Sequence, residues 1–228
     1  MFDKKELIKK FLLDEKLPEE EKRLRFEIAW DIWENFENIK IELKQDLIRK
    51  LKERIEQSEE FKNYIVINDG LIEKQKYGKL LVFKKEWRLL ENIGILHYAL
   101  EAEQSNICHM YIGIRKFNEN NGIPFKGNWQ AEKEIGENLL SIIKKIYSTL
   151  GGSNKNWQSE NLWIAWKYLD EPYKGMWQKE FYFEIITKDG FEKVRDYLFN
   201  QFLELKNKTE TLIDEFVEKF RNLKKNKS

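Results

Sequence analysis

Apolar residues return every three or four positions along two long stretches of this chain. Between those stretches they return every second position along several short ones. From about residue 18 to 60 the series is Ile28, Ile32, Phe36, Ile39, Leu43, Leu47, Leu51 and Ile55. Such steps keep side chains on one face of an α-helix, so the spacing predicts a long helix. Pro18 suits its first turn, and Glu19, Glu20 and Glu21 suit the positive end of the helix dipole. Between residues 26 and 36 the apolar face widens to take in Ala29, Trp30 and Trp33, which predicts a helix end held between two neighbours. Beyond it the stripe narrows to a coiled-coil-like seam. A shorter helix over residues 4–13 is expected to fold back before it.

The last stretch, residues 191 to 223, repeats the pattern with Phe191, Val194, Leu198, Phe202, Leu205, Leu212, Phe216 and Leu223, and Thr209 fills a polar gap. A helix of that length does not bury its stripe alone, so the two long helices are expected to pack on each other.

The middle alternates. "YIVIND" and "KLLVF" flank a Gly/Lys-rich turn, and "GILHYALEAEQSNICHMYIGIRKF" reads as a hairpin turning at residues 103–106. In that hairpin Leu96, Tyr98, Leu100 and Ala102 share a face of one arm, and Cys108, Met110, Ile112 and Ile114 share a face of the other. Residues 118–128 are a polar loop, and 129–147 read as a helix with Ile135, Leu139, Ile142, Ile143 and Ile146 inward. After the break "TLGGSNKN", the stretches "NLWIAWKYL" and "EFYFEIIT" read as two further strands. This order is not a regular strand–helix alternation. It predicts an α+β fold: an antiparallel β-sheet with a covering helix, plus long N- and C-terminal helices packed as a coiled-coil-like stalk. The expected division is a helical segment over 1–60, a strand-rich module over 61–189, and a C-terminal helix over 190–228.

Composition narrows the classes. Charged residues make up 36% of the 228 positions, but 41 basic and 40 acidic side chains leave a net charge of +1. No global pull toward nucleic acid or anionic membrane follows. One cysteine excludes an internal disulfide and fits a reducing cytosol. The charged start of the chain reads as no signal peptide, and no run has the roughly 20 apolar residues of a membrane span. A cytoplasmic protein is expected.

Catalytic signatures are absent. There is no phosphate loop, no GxGxxG and no G-x-S-x-G elbow. Cys108 and His109 are neighbours on a proposed strand and point to opposite faces, and His97 lies on the other arm, so a zinc or Cys/His nucleophile site is not expected. Cys108 reads as core and the histidines as partly exposed. Glu101 and Glu103 share a face and, with Asp69, offer a divalent-cation site; the plainer reading is a solvated sheet face. No cofactor is expected, and Mg²⁺ or Mn²⁺ only if those acids hold a metal.

The aromatic strand is richer. Trp157, Trp163, Trp166, Tyr168, Tyr173 and Trp177 crowd together, with Lys155, Lys167 and Lys174 interleaved. Strict alternation sends Trp166 and Tyr168 to one face and Trp163 and Lys167 to the other. Trp163, Lys167, Trp177, Lys174 and Arg115 are therefore the candidate binding residues, for base stacking or for a protein hot spot. The alternative is that both faces are covered.

The run "FEIAWDIWENFENIKIELKQDLIRKLKERI", then "MYIGIRK", then "NLWIAWKYL", closed by a heptad-like helix, resembles the region after the nuclease core in prokaryotic PD-(D/E)XK nuclease family proteins. The resemblance covers residues 20 to 220. That family places an Asp and then Glu-x-Lys on a strand to hold a metal. Here Glu42-Leu43-Lys44 falls within a helix, Glu73-Lys74 lacks the intervening residue, and Glu101-Ala102-Glu103 has no lysine. The resemblance thus implies the accessory module without the nuclease core. It implies a non-enzymatic recognition or regulatory module for a protein partner or nucleic acid, in prokaryotic or phage-borne defence or counter-defence. The alternatives are a metal-dependent nuclease with a degenerate site at Asp69, Glu101 and Glu103, and a coiled-coil assembly protein that forms a homo-oligomer through its long helices.

Overall fold

The computed structural model describes residues 3–71, 78–90, 94–102, 109–117, 137–152, 156–160, 163–176 and 178–225. Its element order is α1 (Lys4–Leu13), α2 (Glu19–Gln57), β1 (Tyr64–Asp69), β2 (Lys79–Lys84), β3 (Arg88–Leu90), β4 (Gly94–Ala102), β5 (Met110–Phe117), α3 (Glu137–Thr149), β6 (Gln158–Glu160), β7 (Trp163–Tyr168), α4 (Lys179–Ile185) and α5 (Lys188–Lys225). The fold class is α+β, with one antiparallel sheet and long helices near both ends. The chain divides into two compact units, residues 1–43 and 44–228. The division falls inside α2, and the C-terminal helix belongs to the larger unit.

In the smaller unit, Asp3 caps α1 by accepting from the Lys5 amide at 2.9 Å. Arg25 ties α1 to the start of α2. It donates to the Phe11 carbonyl at 2.9 Å, covers the Phe11 ring at 4.9 Å and pairs with Glu21 at 2.6 Å.

The larger unit is built on a sheet of order β1-β2-β4-β5-β7-β6, with β3 also on β4. The β4–β5 register pairs Ala102 with Met110, Leu100 with Ile112 and Tyr98 with Ile114, so these side chains share one face as the alternation predicts. All six are buried. The long C-terminal helix lies against that face. Thr209, the polar gap in its seam, is buried, donates to the Leu205 carbonyl at 2.6 Å and lies 3.3 Å from the Tyr98 hydroxyl. The seam of α5 also packs on α3. The last turns of α2 meet α4 and α5: Lys44 lies over Tyr182, and Arg54 covers Phe199 and pairs with Asp196 at 3.1 Å.

Two expectations change. "EFYFEIIT" is not a strand; it forms α4, with Phe181, Tyr182 and Ile185 buried and Phe183 and Ile186 exposed. A near-continuous apolar run fits both periods, and here the three-to-four spacing of the buried set prevails. The wide end of the α2 stripe is not enclosed. Ile28, Trp30, Ile32, Trp33 and Phe36 are 49–71% exposed, whereas Leu47, Ile48, Leu51 and Ile55 of the same helix are 0% exposed. Helix α3 is described only from Glu137, so Ile135 lies outside the described residues, as do the loop over 118–128, the turn over 103–106 and Cys108.

Gly113 sets the spacing of β5 and β7. A Cβ there would sit 2.1 Å from the Ala165 carbonyl oxygen and 2.7 Å from the Trp166 Cα. Gly113→Ala is expected to push the strands apart and to cost about 2 kcal/mol or more. The urea midpoint measures it, and an unchanged midpoint would contradict this account of the strand pair.

Candidate functional site

The aromatic strand was the first candidate, and the structure turns it inward. Trp163 is 7% exposed and Trp166 9%. A bulge between Ile114 and Arg115 breaks the alternation of β5 against β7, so Arg115 pairs with Trp163 and Gly113 with Trp166. Both tryptophans therefore reach Tyr111, at ring-centroid distances of 5.4 and 5.3 Å, with Tyr168 at 6.1 Å. Strict parity had separated Trp163 from Trp166 and Tyr168; the bulge brings the three together.

The interleaved cations are engaged within the chain. Arg115 lies 5.4 Å over the Trp163 ring and forms an ion pair with Glu101. Lys167 lies 5.6 Å over Trp157 and 3.5 Å from Asp170. Lys174 covers Tyr168 at 4.7 Å. A pattern that suits base stacking is here satisfied by intramolecular cation–π contacts. Trp177 and Lys155 lie outside the described residues.

The acid group is also rearranged. One cross-strand row runs Asp69, Lys79, Glu101, Tyr111, Tyr168 across five strands. Lys79 stands between the two carboxylates and pairs with Asp69 at 3.1 Å. Glu101 is not on a solvated face: it is 3% exposed, and it accepts from the Tyr111 hydroxyl at 2.8 Å and from Arg115. Burial pushes its carboxyl above the ordinary range, while Arg115, Tyr111 and Lys79 pull it down without reversing the shift. Among the described residues no group of three or more His, Cys, Asp and Glu is placed to hold a metal; Glu103 lies outside them. His97 is buried at 1%, not partly exposed, because it shares the covered face with Glu101. His109 is half-buried and bridges to Gly175.

Sequence reading missed a groove of about 970 Å³ beside β1, β2 and α5. There Lys84 binds Asp214 and Glu210, each at 2.7 Å, and the Trp87 indole donates to Asp214 at 2.6 Å. Burial opposes ionisation of Glu210, but bonds from Lys84 and Lys206 outweigh it and hold the carboxyl below its ordinary value. Burial pushes the Tyr64 hydroxyl well above tyrosine's usual range. Residues 84 and 214 are far apart in the chain, so no local spacing announces this network. Each of its charges faces an opposite charge, which suits a structural clamp.

The remaining candidate is the smaller unit. Among the described residues, twelve of the sixteen exposed large hydrophobics fall between Leu7 and Ile39. Phe26 stacks on Trp30 at 6.4 Å and Trp30 meets Trp33 at 5.3 Å, so the rings form one continuous patch. The sequence signal was there, in the widened stripe. Periodicity identifies such a face without saying whether the chain itself covers it. No described helix is long and apolar enough to cross a membrane. Compared with protein-family models, curated proteins and solved structures, the chain matches none.

Two measurements test these assignments. Glu101→Gln or Arg115→Met alone is expected to cost about 3 kcal/mol by stranding the buried partner, and the double variant less than the sum. A strictly additive cycle would exclude a coupled pair. For Glu210, the native state binds its proton less tightly than the unfolded chain. Its contribution is full above the ordinary value of 4.5 and is lost as pH falls through the lower folded value. Glu210→Gln is thus expected to be less stable than the parent at neutral pH, with the two denaturation curves converging in acid. A gap that stays constant with pH would contradict the assignment.

Proposed function

We propose that this chain is a non-enzymatic recognition module whose partner is a protein, docked on the helical face between Leu24 and Ile39. The observation that carries the reading is the contiguous patch of half-exposed Trp, Phe and Ile side chains on that face. Ordinary surfaces scatter such residues singly, whereas contiguous patches mark interaction sites. Tryptophan is also among the residues enriched at the energetic centres of protein interfaces.

Charge favours protein over nucleic acid. From residue 26 to 39 the chain carries Glu27, Asp31, Glu34 and Glu37 and no Lys or Arg. Such a strip repels phosphate, and the cations near the aromatic strand already have partners. The non-enzymatic part of the reading is supported by Lys79 and Arg115 lying against Asp69 and Glu101, where a nuclease would hold a cation. The setting implied by the resemblance, defence or counter-defence in the cytosol of a prokaryote, rests on the sequence motifs.

Trp30→Glu/Trp33→Glu is the direct test. Protein capture by the full chain is expected to fall by about 30-fold or more. The thermal transition should stay in place. Direct binding of DNA or RNA that weakens steeply with added salt would point to nucleic acid instead. Incubation of DNA and RNA with Mg²⁺ or Mn²⁺ should leave both intact. Cleavage that disappears in Glu101→Ala/Glu103→Ala would overturn the non-enzymatic reading.

A further inference from the structure

We infer that the partner of this helical face is a second copy of the same chain, two α1–α2 hairpins closing into a four-helix bundle. The inference rests on the docking role proposed above and names its occupant.

The first ground is the shape of the apolar surface. Leu24, Ile28, Ile32, Phe36 and Ile39 form one seam along α2, at steps of three and four. Phe26, Trp30 and Trp33 form a second seam, roughly 150° round the helix from the first and joined to it through Trp33 and Phe36. A partner groove that receives one amphipathic helix face covers a single stripe. A helix of a four-helix bundle touches two neighbours and presents two stripes. Helix α1 brings its own exposed Leu7, Ile8 and Phe11 to the same unit, held at the α2 start by Arg25.

The second ground is area. A half-exposed large side chain offers roughly 100 Å², so twelve of them present on the order of 1,000 Å² per copy. A standard interface needs roughly 800 Å² from each partner. The largest patch on a typical monomer is about 300–600 Å². The hairpin therefore exposes what one dimer interface requires.

The third ground is charge. Helix α1 carries Lys4, Lys5, Lys9 and Lys10 against the single acid Glu6. Along α2, residues 26–39 carry four acids and no base, with Glu37 already paired to Lys40. Glu27 and Glu34 stand three and four positions from Trp30, beside the second seam. In a two-fold dimer each copy contributes one basic and one acidic helix. Laying α1 of each copy on the Trp30 seam of the other satisfies both pairings at once. The same acids disfavour an anionic lipid surface, which draws basic helices.

Sedimentation velocity and light scattering on the full chain decide it. The parent is expected to be a dimer at about 10 μM, and Trp30→Glu/Trp33→Glu to weaken association by about 30-fold or more. Glu27→Lys/Glu34→Lys leaves the apolar seams intact, so it separates association from folding. It should be largely monomeric alone, as should Lys9→Glu/Lys10→Glu, and the two mixed should form a heterodimer. A parent that stays monomeric at about 100 μM overturns self-association. If the Trp variant of that monomer still loses protein capture, the docking role survives without it. If the monomer instead sediments with anionic or zwitterionic vesicles through Trp30 and Trp33, the face belongs to lipid and both readings fall. A dimer indifferent to all three variants places the self-association interface elsewhere and overturns this inference, and the docking role then stands or falls with protein capture by the Trp variant.

Discussion

A helix of 38 residues cannot bury an apolar seam on itself, and that constraint organises the larger unit. Along α5, Val194, Leu198, Phe202, Leu205, Ile213, Phe216 and Phe220 are all buried. Covering them takes the sheet face of β4 and β5 and, alongside, helix α3. At the two ends of the seam the helix is fixed by polar contacts of different kinds. Near its start, Asp196 meets Arg54 and Phe199 meets both Arg54 and Phe61. Farther along, Glu210 and Asp214 clamp Lys84, and Asp214 takes the Trp87 indole hydrogen. Burial of apolar surface supplies the driving force without direction. The buried Thr209–Tyr98 contact supplies register, because a shift of one helical turn would leave both hydroxyls without each other in a poorly hydrated site, and the half-exposed ion pairs add to it.

The same logic explains why the opposite face of the sheet tolerates so many polar groups. Glu101, His97 and Arg115 are carried there by strands whose other side is fully apolar. A strand cannot turn one residue over without slipping its whole register. The chain instead matches each charge with a neighbour one strand away: Lys79 between Asp69 and Glu101, Arg115 between Glu101 and Trp163. The aromatic crowding around Tyr111 shields the Arg115–Glu101 pair from water, whereas Asp69 at the sheet edge stays partly exposed. Gly113 makes it possible, since only a residue without a Cβ lets β7 approach so closely.

What was legible in the sequence follows from which physical effect is local. Helices α1, α2 and α5 stand out because three-to-four spacing over many residues has no competing interpretation. The β4–β5 faces stand out for the same reason at period two. The run "EFYFEIIT" misleads because nearly every position is apolar, and only its neighbours decide which side is inward. Trp163 misleads because a bulge is a one-residue event that leaves no mark on composition. Asp69 and Glu101 lie on strands separated by β2, and no spacing in the sequence announces that Lys79 of that strand stands between them. The Lys84 clamp was invisible, since its acids come from a helix more than 120 residues away.

The stripe of α2 shows where such reading stops and why. Ile28, Ile32, Phe36, Leu47, Leu51 and Ile55 obey one period in one helix, yet the first three are half exposed and the last three are sealed. Periodicity records that a face needs covering; it does not say whether the cover lies within the chain. The two ends differ in the width of the face. A narrow seam such as Leu47–Ile55 is closed by one layer, and α4 and α5 supply that layer. The wide face bearing Phe26, Trp30 and Trp33 needs neighbours on two sides. An isolated soluble helix gains nothing from three large rings held in water, because each exposes apolar area that association would remove. Glu27, Asp31 and Glu34 on the same turns further suit a cover that brings positive charge, Glu37 being already paired with Lys40. On the docking reading proposed above, width, aromatic content and charge suit a neighbour that is apolar, helical and basic, attributes that α1 itself presents.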